Sequence, residues 1–375
     1  MTILILILIF LLLAYFCLER WYNDRCLRSF KAVIHVNGIR GKTSTCRMID
    51  AVLRTRYKTF TKTTGTDAAY IDAAGNEHPV RRFGSANLHE QLRMIRKAHR
   101  EGAEVLILEC MAVSPQLQLA AQKEIVKAGI GVITNVRYDH VFEMGDTLEE
   151  IAASLSATIP DNGTLFSGDP NAENYFGAYC DEKHTRLISC SDTSSDDPTA
   201  SNRYIALSIG EHLGVSPEEG IKGLKNVHTD FGQCERYDMI SSSGKPFSFL
   251  NLFSVNDPLS TETNIQAFRK ENQPVAFLYQ HRSDRPDRAL LFARYFLPSY
   301  KECPVYVCGK GAGLAMRIFR QAGAADVRYV KNPLTERFDL PEGSLLAGIG
   351  NIKGPCYKLI ETLENNRRKE DTSHE

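Results

Sequence analysis

Residues 33–45 read VIHVNGIRGKTST and constrain the fold more than any other stretch of the chain. Val33, Ile34 and Val36 form the apolar run of a buried strand, and Gly38 and Gly41 permit a tight turn. Beyond the turn, Met48, Ile49, Val52 and Leu53 recur on one face of a helix. A strand, a glycine turn and a helix in that order present backbone N–H groups to an anion at the helix start. Gly38-Ile39-Arg40-Gly41-Lys42-Thr43 is therefore a shortened phosphate loop. In it Lys42 is placed to bridge the β- and γ-phosphates of a nucleotide, and Thr43 to set its hydroxyl on Mg²⁺. The longer form of this motif wants glycine at position 36, which here is Val36.

Two further strand ends carry chemistry. EVLILEC runs apolar into Glu109, and GVITNVRYDH brings Asn135, Asp139 and His140 to the end of another apolar run. Ligands of open α/β sheets sit at the carboxyl ends of the strands. A bare buried carboxylate is costly, so Glu109 is expected to meet a cation. At ~4 Å and an effective dielectric of about 20, a unit charge pair is worth roughly 4 kcal/mol, so Mg²⁺ offsets much of the desolvation. Asp139 and His140 offer oxygen and nitrogen ligands for a metal or for a phosphate-bound water.

Strand and helix patterns alternate along most of the chain. AVIHV, EVLILEC, GIGVITNV and GTLFSG read as buried strands, with helical patterns near 44–56, 87–101, 115–128 and 147–158 between them. That alternation implies a mostly parallel sheet with helices on both faces. The polar, acidic stretch 191–201 reads as a surface loop, followed by the helices NRYIALSIGEHLGV and SPEEGIKGLKNV. The second of these opens with Ser216, Pro217 and Glu219, a capping box. Near HTDFGQCERYDMISSSGKPFSF the texture changes to short β-like segments, which places a domain boundary at about residue 235. QPVAFLYQ, CPVYVCG, DVRYV and SLLAGIG then read as strands of a smaller, Rossmann-like α/β domain. The expected organisation is an anchor at 1–20, a nucleotide-binding domain at 30–235, a C-terminal domain at 236–367 and a flexible tail at 368–375.

The first eighteen residues are a different material. Thr2 to Leu18 is uncharged and mostly apolar, ~26 Å long as a helix at ~1.5 Å per residue, close to the ~30 Å of bilayer hydrocarbon. Trp21 and Tyr22 fall where an aromatic belt lies, and Arg20, Arg25, Arg28 and Lys31 follow on the side expected to be cytoplasmic. A cleaved signal peptide would carry positive charge before the apolar run and small residues after it, so a single-pass anchor is expected. With 45 basic and 45 acidic residues, no global charge points to nucleic acid. The ten cysteines form no C-x-x-C pair and read as reduced core residues.

NGIRGKT, ECMAV and NVRYDH followed by MGDTLEEIA resemble the Mur-ligase superfamily of ATP-dependent amide ligases. KTTGTDA (62–68), SATIPDNG (156–163), DRPDR (284–288) and GIGNIKG (348–354) are more similar to one branch, the ligase subunits of poly-γ-glutamate synthases that make capsule polymer. The likeness runs over nearly the whole chain. It implies a Mur-ligase-like central domain and ATP and Mg²⁺ as cofactors, with Lys42, Glu109 and His140 as catalytic residues and Thr43, Glu109 and His140 as metal ligands. Asn37, Gly38, Ile39, Arg40, Gly41, Ser44, Asn135, Asn202, Arg236, Asn256 and Asp257 join Lys42 and Thr43 as nucleotide-site candidates. Thr66, Asp67, Arg282, Asp284 and Arg285 are candidates for the substrate site. One departure stands out: many superfamily members carry a carbamoylated lysine where this chain has Leu155.

The resemblance implies transfer of ATP's γ-phosphate to a carboxylate and attack on the acyl phosphate by glutamate's amine. Glutamate, a growing polyglutamate chain, the membrane and other membrane subunits of a synthase–exporter complex are the implied partners. Two rivals are a folylpolyglutamate-type ligase and a non-catalytic, membrane-anchored nucleotide switch of a capsule-export complex. Arg93, Arg96, Lys97 and Arg100 also fall on one helical face, a basic stripe able to guide a polyanion.

Overall fold

In the strand Ala32–Asn37 (β1), Ile34 and Val36 face one side of a sheet and Val33 and His35 the other, and all four are buried. A strand covered on both faces belongs inside a three-layer α/β unit. Seven more strands complete that sheet: β2 (Thr59–Lys62), β3 (Ala69–Ile71), β4 (Glu77–Pro79), β5 (Val105–Glu109), β6 (Ile130–Ile133), β7 (Thr164–Ser167) and β8 (Arg186–Ser189). Their order is β4-β3-β2-β5-β1-β6-β7-β8, parallel except for the antiparallel edge pairs β2/β3 and β3/β4. β1 is thus flanked by β5 and β6, so the three chemistry-bearing strand ends are neighbours in the sheet. The edge formed by β3 and β4 has no counterpart in the sequence reading, because three-residue strands leave no periodic pattern.

The structure is a computed structural model that describes residues 2–65, 68–82, 87–191, 199–227 and 234–373, with side chains to residue 367. Contacts divide the chain into two units, Met1–Val136 with Glu143–His228, and Arg137–Phe142 with Thr229–Glu375. The division falls close to the expected boundary but moves Arg137–Phe142 to the second unit. The cause is local: Tyr138 stacks on Tyr295 at 4.4 Å, and Asp139 reaches Arg288 at 3.4 Å.

On one face of the first sheet, Ile34, Val36, Val105 and Ile107 pack with Cys46, Ile49 and Val52 of helix Lys42–Leu53 and with Ile205 and Ile209 of helix Ala200–His212. On the other, Val33, Phe60, Leu106 and Leu108 pack with Met94, Ile95 and Ala98 of helix His89–Arg100. Cys26 and Phe30, from the end of helix Thr2–Leu27 and just beyond it, join this second cluster. The remainder of that helix is long and apolar enough to cross a membrane, with a mean hydropathy of 2.7 over its best window. Helix Pro217–Leu224 carries the expected capping box on Ser216 and Glu219.

The second unit holds β9 (Glu235–Ile240), β10 (Pro246–Asn251), β11 (Val275–His281), β12 (Val305–Gly309), β13 (Val327–Tyr329) and β14 (Leu345–Ile349). They lie in the order β13-β12-β11-β14-β10-β9, parallel but for the β9/β10 hairpin. Its last helix runs Pro355–Ser373, so the backbone continues helical through most of the stretch expected to fray. All ten cysteines are free thiols.

His35 is fully buried, and its Nδ1 donates to Gln122 Oε1 at 2.9 Å. Burial pushes the imidazole down from 6.5 to about 4. Because the unfolded chain takes up this proton first, stability is complete above pH 6.5 and is lost as pH falls toward 4. The full shift corresponds to about 3 kcal/mol. Unfolding midpoints followed by circular dichroism are expected to fall less steeply between pH 6.5 and 4 in His35→Gln than in the parent chain.

Candidate active site

β1 ends in Asn37, and the turn after it is shaped by two glycines in the left-handed region, Gly38 at φ 120° and Gly41 at φ 78°. A Cβ on Gly38 would lie 2.1 Å from Thr134 Oγ1, so no other residue fits that close approach. β6 braces the loop from beside it. Asn135 accepts from the Ile39 N–H through its backbone oxygen at 3.2 Å and from the Arg40 N–H through Oδ1 at 3.0 Å. Its Nδ2 donates to the Arg40 carbonyl at 3.1 Å, and Thr134 Oγ1 donates to the same oxygen at 2.6 Å.

These bonds correct part of the sequence reading. The amides of Ile39 and Arg40 are used inside the protein, and Asn135 is a brace for the loop. Asn37 is 2% exposed and donates to Gln118 Oε1 at 2.7 Å and Thr158 Oγ1 at 3.1 Å, so its side chain faces the interior. What the loop offers a ligand is the start of helix Lys42–Leu53, which has no side-chain cap. Its first-turn N–H groups, at Lys42, Thr43 and Ser44, lie where an anion takes the place of a cap. Lys42 Nζ folds over the loop and donates to the carbonyls of Gly38 at 2.7 Å and Ile39 at 3.3 Å. Asn202 stands beside the turn, its Nδ2 2.8 Å from where a Gly41 Cβ would lie.

Glu109, at the tip of β5, is 2% exposed. Its Oε2 accepts from Thr43 Oγ1 at 2.9 Å and from the Thr64 N–H at 2.7 Å, and among the described residues Oε1 accepts no hydrogen bond. Gln91 Nε2 fixes the Glu109 carbonyl at 2.9 Å. One carboxylate, one hydroxyl and an adjacent phosphate site form the hard-oxygen set by which Mg²⁺ is ordinarily held, with nucleotide oxygens and water completing its shell. No cluster of three or more His, Cys, Asp or Glu that would bind a metal without a nucleotide occurs among the described residues. Leu155, at the position of the absent lysine, is fully buried.

An ion triad behind Glu109, with Lys62 and Glu90 buried and Arg82 exposed, has no counterpart in the sequence reading. Lys62, fully buried at the end of β2, pairs with Glu90 Oε1 at 2.7 Å, and Arg82 Nε pairs with Glu90 Oε2 at 2.6 Å. Burial pushes the Glu90 carboxyl up, but the Arg82 hydrogen bond and the Lys62 charge outweigh it and hold it at about 2. Burial also pushes the Lys62 ammonium down. The signal available was a lysine closing the otherwise buried strand TFTK.

The remaining candidates lie in the second unit. His140, at φ 53°, has its ring against Arg285, whose Nη1 is 3.1 Å from Nδ1 and 3.3 Å from Nε2. Lys42, Thr43 and Glu109 come together within the first unit. His140, expected to join Lys42 and Glu109, lies in a side-chain group of the second unit. That group centres on Arg288, missed in the sequence although DRPDR contains it. Arg288 is 5% exposed and donates to Asn256 Oδ1 and the Gly350 carbonyl, each at 3.3 Å, and to Asn351 Oδ1. Asp257 caps helix Pro258–Phe268 by accepting from the Ser260 N–H at 2.8 Å. Arg236 donates to Ser248 Oγ across the β9/β10 hairpin at 2.7 Å, and Arg282 makes a two-pronged pair with Asp284 at 3.0 and 2.6 Å. Thr66 and Asp67 lie outside the described residues.

The basic stripe is not an open track. Arg96 is paired with Glu19 and Lys97 with Glu101, each at 2.9 Å, and Arg100 donates to the Arg96 carbonyl.

Comparison with known proteins places this geometry. Residues 36–214 match the model of the Mur ligase middle domain, and residues 237–366 that of the poly-gamma-glutamate synthase CapB C-terminal domain. The chain is 32% identical to the capsule biosynthesis protein CapB of Bacillus anthracis, over 94% of this chain and 80% of that one. It is 31% identical to the PGA synthase CapB of Bacillus subtilis, over 94% and 95%. Among solved structures, FolC of E. coli in complex with ADP has a TM-score of 0.63 at 15% identity, covering 92% of each chain. MurF of Acinetobacter baumannii has a TM-score of 0.60 at 16% identity, covering 93% of this chain and 78% of that one. At these identities the structural likenesses establish the fold alone.

Asn135→Ala removes both side-chain bonds that brace the Arg40 peptide. The loss of roughly 1–3 kcal/mol is expected to weaken ADP binding about five-fold or more in calorimetric titration and to lower the melting temperature by a few degrees.

Proposed function

The chain belongs to the CapB family of poly-γ-glutamate synthases, built on the Mur ligase middle domain, and from that premise we propose that it polymerises glutamate as an ATP-dependent amide ligase. The observation that carries the reading is the state of Glu109. One oxygen is held by Thr43 and Thr64 and the other is left open, beside an uncapped helix start and a lysine.

ATP is the phosphoryl donor. An oxygen of the acceptor's γ-carboxylate attacks the γ-phosphorus, and the bond to ADP breaks, giving an acyl phosphate. The amine of the next glutamate attacks the acyl carbon and loses a proton, and phosphate leaves with the carboxylate oxygen. The protein's part in such a transfer is positioning and charge stabilisation. Lys42 and the first-turn N–H groups hold the phosphates, and the Asn135 and Thr134 braces keep the loop from yielding as charge moves. Thr43 and Glu109 would hold Mg²⁺, which when bound neutralises charge on the β- and γ-oxygens. Asn202 supports the nucleotide beside Gly41.

The helix Thr2–Leu27 anchors the enzyme to the cell membrane, with the ligase units on the cytoplasmic side where ATP is available. Other membrane subunits of a synthase–exporter complex receive the polymer. The folylpolyglutamate synthases share the fold at 12–16% identity, which gives no ground for a folate substrate here.

Membranes containing the chain are expected to release ADP only with glutamate present, without stimulation by folate, and to form γ-amide polymer. ADP release indifferent to every amino acid would restore the nucleotide-switch reading. Lys42→Ala is expected to abolish this turnover while leaving the circular dichroism spectrum unchanged; retained turnover would reject the phosphate loop as the site.

A further inference from the structure

The helix Thr2–Leu27 changes character along its length without a break in its backbone. Its large apolar side chains from Ile3 to Leu18 are 49–74% exposed and pack against no other element among the described residues. From Glu19 onward the same helix is built into the first unit. Glu19 pairs with Arg96 at 2.9 Å, Arg20 with Glu124 at 3.1 Å and Asp24 with Lys127 at 2.6 Å. Asn23, 1% exposed, donates to the Ile125 carbonyl at 2.8 Å. Cys26 is fully buried, and Phe30 lies with it in the core beneath Met94 and Ile95. Ser29 Oγ lies 2.7 Å from His99 Nδ1. Exposed ion pairs contribute little singly, but buried Asn23, Cys26 and Phe30 key the helix into packed protein.

We propose that this helix is a rigid strut that seats the first unit directly on a lipid bilayer. Thr2–Leu18 is taken by hydrocarbon, Trp21 lies at the headgroup level, and residues 23–30 are fixed to the unit that carries the phosphate loop. Three features make lipid the occupant. The exposed stretch is ~26 Å long, close to the hydrocarbon thickness. It is mostly Leu, Ile and Phe, with Thr2, Ala14, Tyr15 and Cys17 its other residues and no glycine or serine, whereas membrane helices that pack on one another use small residues at the contact. Trp21, 59% exposed, follows Leu18 by three residues, where aromatic side chains meet the interface. A helix without a joint fixes orientation as well as distance. The ligase unit therefore presents one constant face to the membrane instead of sampling many on a tether.

Trp21 is the sole tryptophan of the chain, so its fluorescence reports on this junction alone. In full-length protein reconstituted into phosphatidylcholine–phosphatidylglycerol vesicles, lipids brominated near the headgroup end of the acyl chain are expected to quench Trp21 more than lipids brominated near the methyl end. A flexible Gly-Ser segment inserted between Leu18 and Glu19 keeps both halves and removes the joint's stiffness. Quenching is then expected to drop to the level of a chain lacking residues 2–18, with melting temperatures unchanged. Equal quenching in the insertion variant would overturn the strut, because Trp21 would reach the headgroups without a continuous helix. Absence of quenching in the uninterrupted chain would overturn lipid as the occupant and leave the helix of another protein in its place.

Discussion

A carboxylate held by one oxygen and open at the other is the constraint on which the first unit depends. Glu109 ends a strand whose five residues are all buried, so its position is fixed by packing on both faces of the sheet. Thr43 arrives from the phosphate-loop helix and Thr64 from the exit of β2, and both donate to the same oxygen. A charge in such a place is costly without a counter-charge. Lys42 stands on the loop beside it, and Lys62 lies buried behind it, neutralised by Glu90. The remaining electrostatic deficit is local, oxygen-lined and next to an uncapped helix start, the features on which the proposed magnesium–nucleotide site rests.

The phosphate loop gains its rigidity from β6. Thr134 and Asn135 take up the polar groups of Ile39 and Arg40, so the loop's shape is set before a nucleotide arrives. Preorganised dipoles stabilise developing charge without reorganising at the moment of reaction. The second unit has its own charge centre in Arg288, which gathers Asn256, Asn351 and the Gly350 carbonyl, and reaches Asp139 at 3.4 Å. His140 and Arg285 lie against each other in the same unit.

Strand, glycine turn and helix leave strong local signatures, and much of this architecture is legible in the sequence for that reason. The α/β class, the parallel strands β1, β5, β6 and β7, and the loop from Gly38 to Thr43 are all readable that way. So is the place of Glu109, an acid that closes a buried apolar run. What is not readable is direction. Asn37 borders the loop and Asn135 follows β6, and both side chains bond to protein, Asn37 to Gln118 and Thr158 from distant segments and Asn135 to the Arg40 peptide. Likewise the cap that Asp257 gives helix Pro258–Phe268 shows only in its bond to the Ser260 N–H. The basic stripe is real as a pattern, but Glu19 and Glu101 neutralise two of its members.

On the proposed reading Glu109 couples metal to nucleotide, and calorimetric titration of ADP with and without Mg²⁺ measures that coupling directly. The parent chain is expected to bind ADP more tightly when Mg²⁺ is present, and Glu109→Gln to bind it equally in both conditions. If Mg²⁺ strengthened ADP binding as much in Glu109→Gln as in the parent chain, the carboxylate at the tip of β5 would not be what holds the metal, and the site would have to be sought elsewhere.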